Sequence, residues 1–549
     1  MTKTKILACT EATYLSSGYA RYYNALLNYL HSTGEFEICE LASWGDEADP
    51  RSHSVPWKFV GNLPFGATLN QANPKEIADY ESNPYNKFGA WKFHKVCLDF
   101  RPDIVLDIRD VWHSQHAISS PLRKHYNLIL MPAIDAEPQK DEWVSYYQNA
   151  DAIITYTDWA KTVLDKISGG TIKTTVSASP VCDSCFTPVM DKAAHKQMMG
   201  FAPEMKVIGT VMRNQRRKLF PALIQSFEEY ILTNNINDTY LYLHTSYPDD
   251  GFDFPHLVKQ SKVGHKLIFT YVCRNCGNVS PGFFKDAKTV CPKCNYASMA
   301  MPSTTVSVAN EALAMIYNSF DLYVQYASLE GFGMPVVEAA ACGVPVVATD
   351  YSAMSETVRK LAGRPIPIAY YNVEMESNRT WAYPDNQEFI KILKQFFSLN
   401  AEQHKLLSAS ARQCFERNYN SWGTVGEKWY KVIKSFNNRN TWDSPANITN
   451  PPPFDEKPQL SNQAYAQWLI SEVLGRPELV GTNFELRLIR DLNFGSTNYG
   501  MGGSYHNEET CEVVNTKIED FDRRKAYHHM IGLCEQKNLL ERQRCASYT

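Results

Sequence analysis

Two glutamates and a glycine-rich turn make Ser328 to Asp350, SLEGFGMPVVEAAACGVPVVATD, the stretch best equipped for chemistry. Gly331 and Gly333 flank Phe332 and let backbone N–H groups approach a ligand with no Cβ in the way. Pro335 suits a helix start, Val336 to Cys342 reads as a short helix, and Gly343 is a natural stop. Pro345 to Thr349 follows as a β-branched run, read as a buried parallel strand. A loop–helix–strand unit of this kind aims unpaired N–H groups at an anion, and a diphosphate fits. Glu338, in the first turn, is placed to accept bonds from the hydroxyls of a ribose, and Glu330 from those of a second sugar.

Two further groups have the types and spacing for chemistry. Arg213, Arg216, Arg217 and Lys218 follow the apolar run Val207 to Val211, so a cluster of positive charge sits at a strand's carboxyl end. Such a cluster suits a diphosphate, with a solvated basic turn or a nucleic-acid patch as the other uses. Cys273-x-x-Cys276 and Cys291-x-x-Cys294, separated by residues 277–290, have the spacing of a zinc ribbon. Four thiolates close a tetrahedral site and leave no open position, so one structural zinc is expected. Cys182-x-x-Cys185 is a single pair and reads as coincidence.

The elements that must hold these groups read as alternating strands and helices. Lys5 to Thr10 is a strand, the loop after it ends at Ser17-Gly18, and Tyr19 to His31 has helical apolar spacing. There is no Gly-x-Gly-x-x-Gly, so no dinucleotide site is read. Ser43 to Gly66 is a long loop with Trp44, Asp46, Asp49, Arg51, His53 and Trp57, expected to contribute to binding. Ile104 to Leu106 runs into Asp107-Ile108-Arg109-Asp110, then His113, at a strand end where ligands sit. Val306 to Ser319 reads as helical. Ser444 to Pro458 is proline-rich and reads as a linker. Beyond it Gln463 to Leu474, Asn483 to Leu492 and Phe521 to Arg544 read as helices, with a glycine-rich loop at Gly495 to Ser504.

The 549 residues suffice for two or three domains, and 44% hydrophobic residues supply their cores. A net charge of −4 gives no global basic field for nucleic acid, although a local patch is compatible with it. No apolar run reaches the roughly 18 residues that span a bilayer, and the amino terminus lacks the apolar core of a signal peptide. A cytoplasmic protein without membrane partners is expected, with its 14 cysteines as thiols.

The Glu330–Glu338 stretch resembles the signature of glycosyltransferase family 4, retaining sugar transferases of the GT-B fold. The resemblance runs from about Lys5 to Phe436 and includes VCDSCFTP, Val181 to Pro188, which is similar to the family's interdomain linker. It implies an α/β GT-B architecture, two Rossmann-like domains facing a cleft: an acceptor-side domain 1–190, a donor-binding domain 191–410 and a crossover helix 411–440, with the zinc ribbon read from the cysteine spacing as an insertion 268–300 that most family members lack. A linker 441–459 and a helical extension 460–549 complete the expected order. It implies a nucleoside-diphosphate sugar donor, by default UDP, and retention at the anomeric carbon. Glu338 would hold the ribose and Glu330 the donor sugar. Gly18 with Ser17 would lie beside the phosphates, Gly331, Phe332 and Gly333 would form the donor turn, and Arg213 with Lys218 would neutralise the leaving diphosphate without a catalytic metal. Asp110 or His113 would face the reacting centre.

DPRSHSVPWKF, within Trp44 to Phe59, and IRDVWHSQ, Ile108 to Gln115, look like bacteriophage-encoded members, some of which glucosylate or arabinosylate 5-hydroxymethylcytosine in DNA. Modified DNA is therefore the leading acceptor, with the ribbon helping to hold it in a host cytoplasm. A glycan or small molecule is the rival acceptor, and a non-catalytic GT-B-like scaffold binding nucleic acid or protein is the rival class. Nothing in the spacing around Glu330 separates a hexose from a pentose.

Overall fold

The computed structural model describes residues 3–442, apart from 16, 183, 286–287, 304–305, 376–377 and 440, and parts of the chain beyond, among them 460–474. Two parallel sheets dominate it. The first has the order β3-β2-β1-β4-β5-β6-β7. Its strands are β1 (Thr4–Glu11), β2 (Phe36–Ser43), β3 (Lys58–Gly61), β4 (Ile104–Asp107), β5 (Asn127–Leu130), β6 (Ala152–Thr155) and β7 (Thr174–Ser177). Ile6 to Thr10 of β1 are all buried, as expected for a central strand covered on both faces.

The second sheet carries β8 (Lys206–Val211), β9 (Thr239–His244), β10 (Leu267–Cys273), β11 (Val279–Phe283), β12 (Thr289–Val290), β13 (Ala297–Ala300), β14 (Leu322–Gln325), β15 (Val346–Thr349) and β16 (Arg364–Ile366). Its parallel part runs β10-β9-β8-β14-β15-β16, while β11 and β13 pair antiparallel with β10. In both sheets the strand order reverses beside the first strand, between β1 and β4 and between β8 and β14. The crevice at the carboxyl ends of such a switch point is where open α/β sheets take ligands.

The helices differ from the sequence reading mainly at their starts. The helix Gly18–Ser32 buries Tyr22, Tyr23, Leu26, Leu27 and Leu30, and Ser17 caps it by accepting from the Ala20 amide at 3.1 Å. The helix after the glycine turn is Met334–Ala341, two residues earlier than read, because Gly333 at φ 86 already supplies its cap and Pro335 sits inside the first turn. The helix expected from Val306 starts at Asn310; the Ser303 amide instead donates to the Val306 carbonyl at 3.1 Å. A hairpin that the periodicity did not reveal, β17 (Ile368–Val373) and β18 (Thr380–Pro384), stands off both sheets.

The chain then returns to the first sheet. The helix Trp422–Lys434 packs on Gly18–Ser32, and its fully buried Trp429 donates to the Tyr22 hydroxyl at 2.8 Å. Tyr22 in turn donates to the Ala178 carbonyl at 2.9 Å. Beyond 442, the helix Asn462–Trp468 and the wider turn Leu469–Val473 form a small separate core with Leu488 and Met530. A short strand pair, β19 (Ser504–His506) and β20 (Val513–Asn515), accompanies the helical part of the extension. The linker 444–458 falls outside the described residues except Lys457, as do the glycine-rich loop up to 503 and most of the helix read from Phe521.

Candidate active site in the cleft

The residues after β8 and β14 meet at the switch point of the second sheet. Lys218 donates its ammonium to Glu330 Oε1, Arg217 Nη1 reaches Glu330 Oε2 at 2.8 Å, and Gln325 Nε2 reaches Oε1 at 2.7 Å. The Glu330 amide is itself bound to Ser352 Oγ at 3.0 Å, so the carboxylate's position is fixed from both ends. Burial, then the adjacent Arg217, pushes the Lys218 ammonium well below its ordinary pKa, and the charge of Asp135 opposes that push. Charge here is concentrated and water-poor, the condition under which fixed groups act most strongly on a developing charge.

Arg213 lies outside this cluster. Its Nε and Nη2 clamp Asp249 at 2.8 and 2.7 Å and touch Asp250 at 3.0 Å. The hydrogen bond from Arg213 is the main force holding the Asp249 carboxyl down at about 2. Arg217, which sequence reasoning left among the nucleic-acid options, occupies the place at Glu330 instead. No local pattern distinguishes it from its neighbour Arg216; only the β8–β14 pairing brings it there.

The glycine turn lies against the other half of the molecule. A Cβ on Gly331 would meet Ala133 Cβ at 3.1 Å, so the turn approaches the loop after β5 closely. Phe332 is buried, its ring centroid 6.3 Å from Tyr156 and 5.9 Å from Tyr419. Glu338 is buried and accepts from Tyr317 at 2.8 Å and, across the cleft, from Arg21 at 3.4 Å. Gly18 has open space where a Cβ would point, and Ser17 is held by the Glu11 carboxylate.

On the facing side, Asp110 follows β4 and lies 3.4 Å from the Tyr19 hydroxyl. Burial, and then the charge of Asp135, raises its carboxyl to about 7. Arg217 faces both carboxylates across the cleft, and Arg379 of the hairpin binds Asp135 at 2.9 and 3.1 Å. His113 turns away and stacks on Phe88 at 3.6 Å, where burial, then Arg109, lowers its pKa to about 3. Arg109 pairs with Asp107 at 2.6 and 2.7 Å, not with Asp110. The long loop after β2 mostly binds itself. Asp46 accepts the amides of Ala48, Gly66 and Thr68 at 2.9 Å, and Trp57 donates to the buried Glu40 at 2.7 Å.

The four ribbon cysteines converge as their spacing predicts. Their sulfurs all lie within 4.8 Å of one another, with Cys273–Cys294 at 3.5 Å and Cys276–Cys291 at 3.7 Å. Zinc bonded tetrahedrally at about 2.3 Å separates its sulfurs by about 3.8 Å, so the cage fits that ion. Each knuckle ends in a left-handed residue, Gly277 at φ 70 and Asn295 at φ 59, which lets the turn close under the second cysteine. Another group, Cys9, Asp107 and His116, already has its carboxylate bound to Arg109. No group containing Cys182 and Cys185 forms among the described residues.

No curated protein matches the sequence. The sequence model of the family described as Glycosyl transferases group 1 matches residues 304–375, which hold Glu330, the glycine turn and Glu338. Among solved structures, a sucrose-phosphate synthase from Thermosynechococcus elongatus is similar over 79% of this chain and 99% of its own, at 16% identity and TM-score 0.55. A glycosyltransferase from Rickettsia africae covers the same shares at 14% identity and TM-score 0.54. Anabaena HepE, solved in complex with UDP and glucose, is similar over 79% of this chain and 100% of its own, at 14% identity and TM-score 0.50. The chain has the GT-B fold, and its residues 304–375 match the sequence model of the group 1 glycosyl transferases.

Proposed function

We propose that the protein transfers a sugar, with retention, from a nucleoside diphosphate, UDP by preference, to an acceptor hydroxyl. The observation that carries this reading is the convergence of Lys218, Arg217 and Glu330 beside the amino end of the Met334–Ala341 helix. The bond from the anomeric carbon to the phosphate oxygen breaks with its electron pair going to the diphosphate. Lys218, Arg217 and the helix N–H groups hold that charge, and Arg213 joins them if it leaves Asp249. The acceptor oxygen bonds to the anomeric carbon, and its proton passes to the departing phosphate. Glu330 holds donor-sugar hydroxyls, Glu338 the ribose hydroxyls, and Asp110 faces the reacting centre. The presence of UDP and glucose in the similar HepE supports a donor of this class.

The leading acceptor is 5-hydroxymethylcytosine in DNA, supported by the likeness of DPRSHSVPWKF and IRDVWHSQ to phage enzymes that modify it. Purified protein, a panel of UDP-sugars and duplex DNA with or without 5-hydroxymethylcytosine test this by mass spectrometry. One hexose or pentose added to the modified DNA alone is the expected result. Donor hydrolysis without transfer to either DNA sends the acceptor search to glycans and small molecules. Neither hydrolysis nor transfer sinks the enzyme reading and leaves the scaffold.

A further inference from the structure

Next to the cluster at Glu330 lies a cleft of about 850 Å³ with walls from three parts of the chain. Its lining includes Trp112, Trp143 and Tyr146, then Arg216 and Arg217, and then Trp381 and Tyr383 of the β17–β18 hairpin. Trp112 stacks on Trp143 at 4.6 Å and 29°. Lys140 and Arg379 sit over the Trp143 ring at 5.4 and 5.9 Å. The hairpin continues the aromatic surface outward, with Tyr370 stacked on Tyr383 at 4.7 Å and 7°, and Tyr370 and Tyr371 more than half exposed. The aromatic residues of this lining serve none of the donor groups described above. The lining also includes the same Arg217 that touches Glu330, so a ring in the cleft would have its substituents beside the reacting centre.

Resting on the transferase reading, we propose that this cleft is the acceptor subsite and that it takes a nucleobase turned out of a DNA strand. A cleft lined by six aromatic side chains, Tyr85, Trp112, Trp143, Tyr146, Trp381 and Tyr383, suits a planar ring, which stacks on tryptophan and tyrosine whatever its sequence context. The charges agree with a polyanion. Of the lining acids Glu142, Asp250 and Glu374, Asp250 is met by Arg213 at 3.0 Å and Glu142 by Lys140 at 4.0 Å, whereas Arg216 is exposed and makes no ion pair among the described residues. Arg216 is therefore the cation available to a backbone phosphate, since it lines the cleft and is exposed. A chain with net charge −4 needs such a local placement to hold DNA at all.

Binding of a fluorescently labelled single-stranded oligodeoxynucleotide containing 5-hydroxymethylcytosine tests the proposal by anisotropy, without any donor present. Trp112→Leu should weaken binding about tenfold or more. Arg216→Ala, an exposed change that spares folding, should weaken it and reduce the salt dependence by about one phosphate contact. UDP affinity, measured by calorimetry, should stay unchanged in both variants. Oligonucleotide binding equal to wild type in both variants overturns the subsite. So does a wild-type protein that ignores the oligonucleotide while an oligosaccharide quenches its tryptophan fluorescence. Absence of UDP binding in the wild type is a different failure: it counts against the donor reading, and the oligonucleotide arm still judges the cleft.

Discussion

Lys218 carries its charge where water cannot stabilise it, and the Glu330 carboxylate is its nearest anion. A donor diphosphate offers a second anion to the same two cations, so Lys218 and Arg217 are placed to shift part of their bonding from carboxylate to phosphate as charge develops. Lys218→Ala and Arg217→Ala should each lower kcat by about 100-fold or more, the size of loss seen when one preorganised partner of a developing oxyanion is removed. Arg213→Ala should cost less than about tenfold, since Asp249 and Asp250 hold that guanidinium away from Glu330. Steady-state kinetics on the three variants decides the matter: equal losses for Arg213 and Lys218 would mean that Arg213 leaves Asp249 during turnover. Asp110 gives a pH test with a definite sign. Its folded pKa, about 7, lies above the unfolded carboxyl value, so the folded state holds the extra proton between the two. Its contribution to stability is present in acid and is lost as pH rises through 7. Asp110→Asn should therefore melt like wild type near pH 3, below the unfolded carboxyl value, and higher than wild type near pH 8, by about 2–4 °C for each kcal/mol recovered. Thermal melts at both pH values check it, and a variant with the same difference at both would remove Asp110 from the titration.

At the scale of elements, the ribbon shows what an insertion can do without touching the cleft. Its strands extend the edge of the second sheet through β10, and its return segment accepts the Tyr247 amide on Pro302 at 2.9 Å. The loop from Tyr247 carries Asp249 and Asp250, the pair that clamps Arg213. One zinc per chain is expected by elemental analysis. Cys276→Ser should lose it, lower the melting midpoint and weaken UDP binding by only a few-fold, because the effect reaches the donor through a loop; a full metal complement in Cys276→Ser would refute the cage. The ribbon was legible because its ligands, knuckles and spacing are all local. So was the Ser328–Asp350 unit, whose glycines, proline and β-branched run each act on their own backbone. Arg217 was not, since its meeting with Glu330 across |i−j| = 113 depends on β8 lying beside β14. The β17–β18 hairpin was not legible either. Tyr370, Tyr371 and Val373 are exposed on consecutive and alternate positions alike, so the strand has no apolar face to give it a period of two. The polar loop after β2 misled for the opposite reason: its carboxylates resemble ligands but cap their own backbone.

The whole molecule depends on a chain that crosses from the second sheet back to the first. Trp429 reaches Tyr22, Lys428 Nζ donates to the Ser177 carbonyl at 2.8 Å, and Gly426 lies so close to Tyr29 that a Cβ would stand 2.3 Å from its ring. The ring contacted by Gly426 belongs to the helix Gly18–Ser32, whose other end carries Ser17, Gly18 and Arg21, the last reaching Glu338 across the cleft. The crossover and the proposed donor site thus hold opposite ends of one helix. Gly426→Ala should push that helix from its seat, because a backbone-borne methyl has nowhere to go but into the Tyr29 ring. Overpacking of this kind costs about 1–3 kcal/mol, so the melting midpoint should fall by several degrees. If the crossover also sets the distance between the two halves, UDP affinity should fall as well, although Gly426 touches no ligand group. Calorimetric titration of the folded variant with UDP separates the two roles: a lower midpoint with unchanged affinity makes the crossover a brace alone, and a fall in both makes it part of what aligns Arg21 with Glu338.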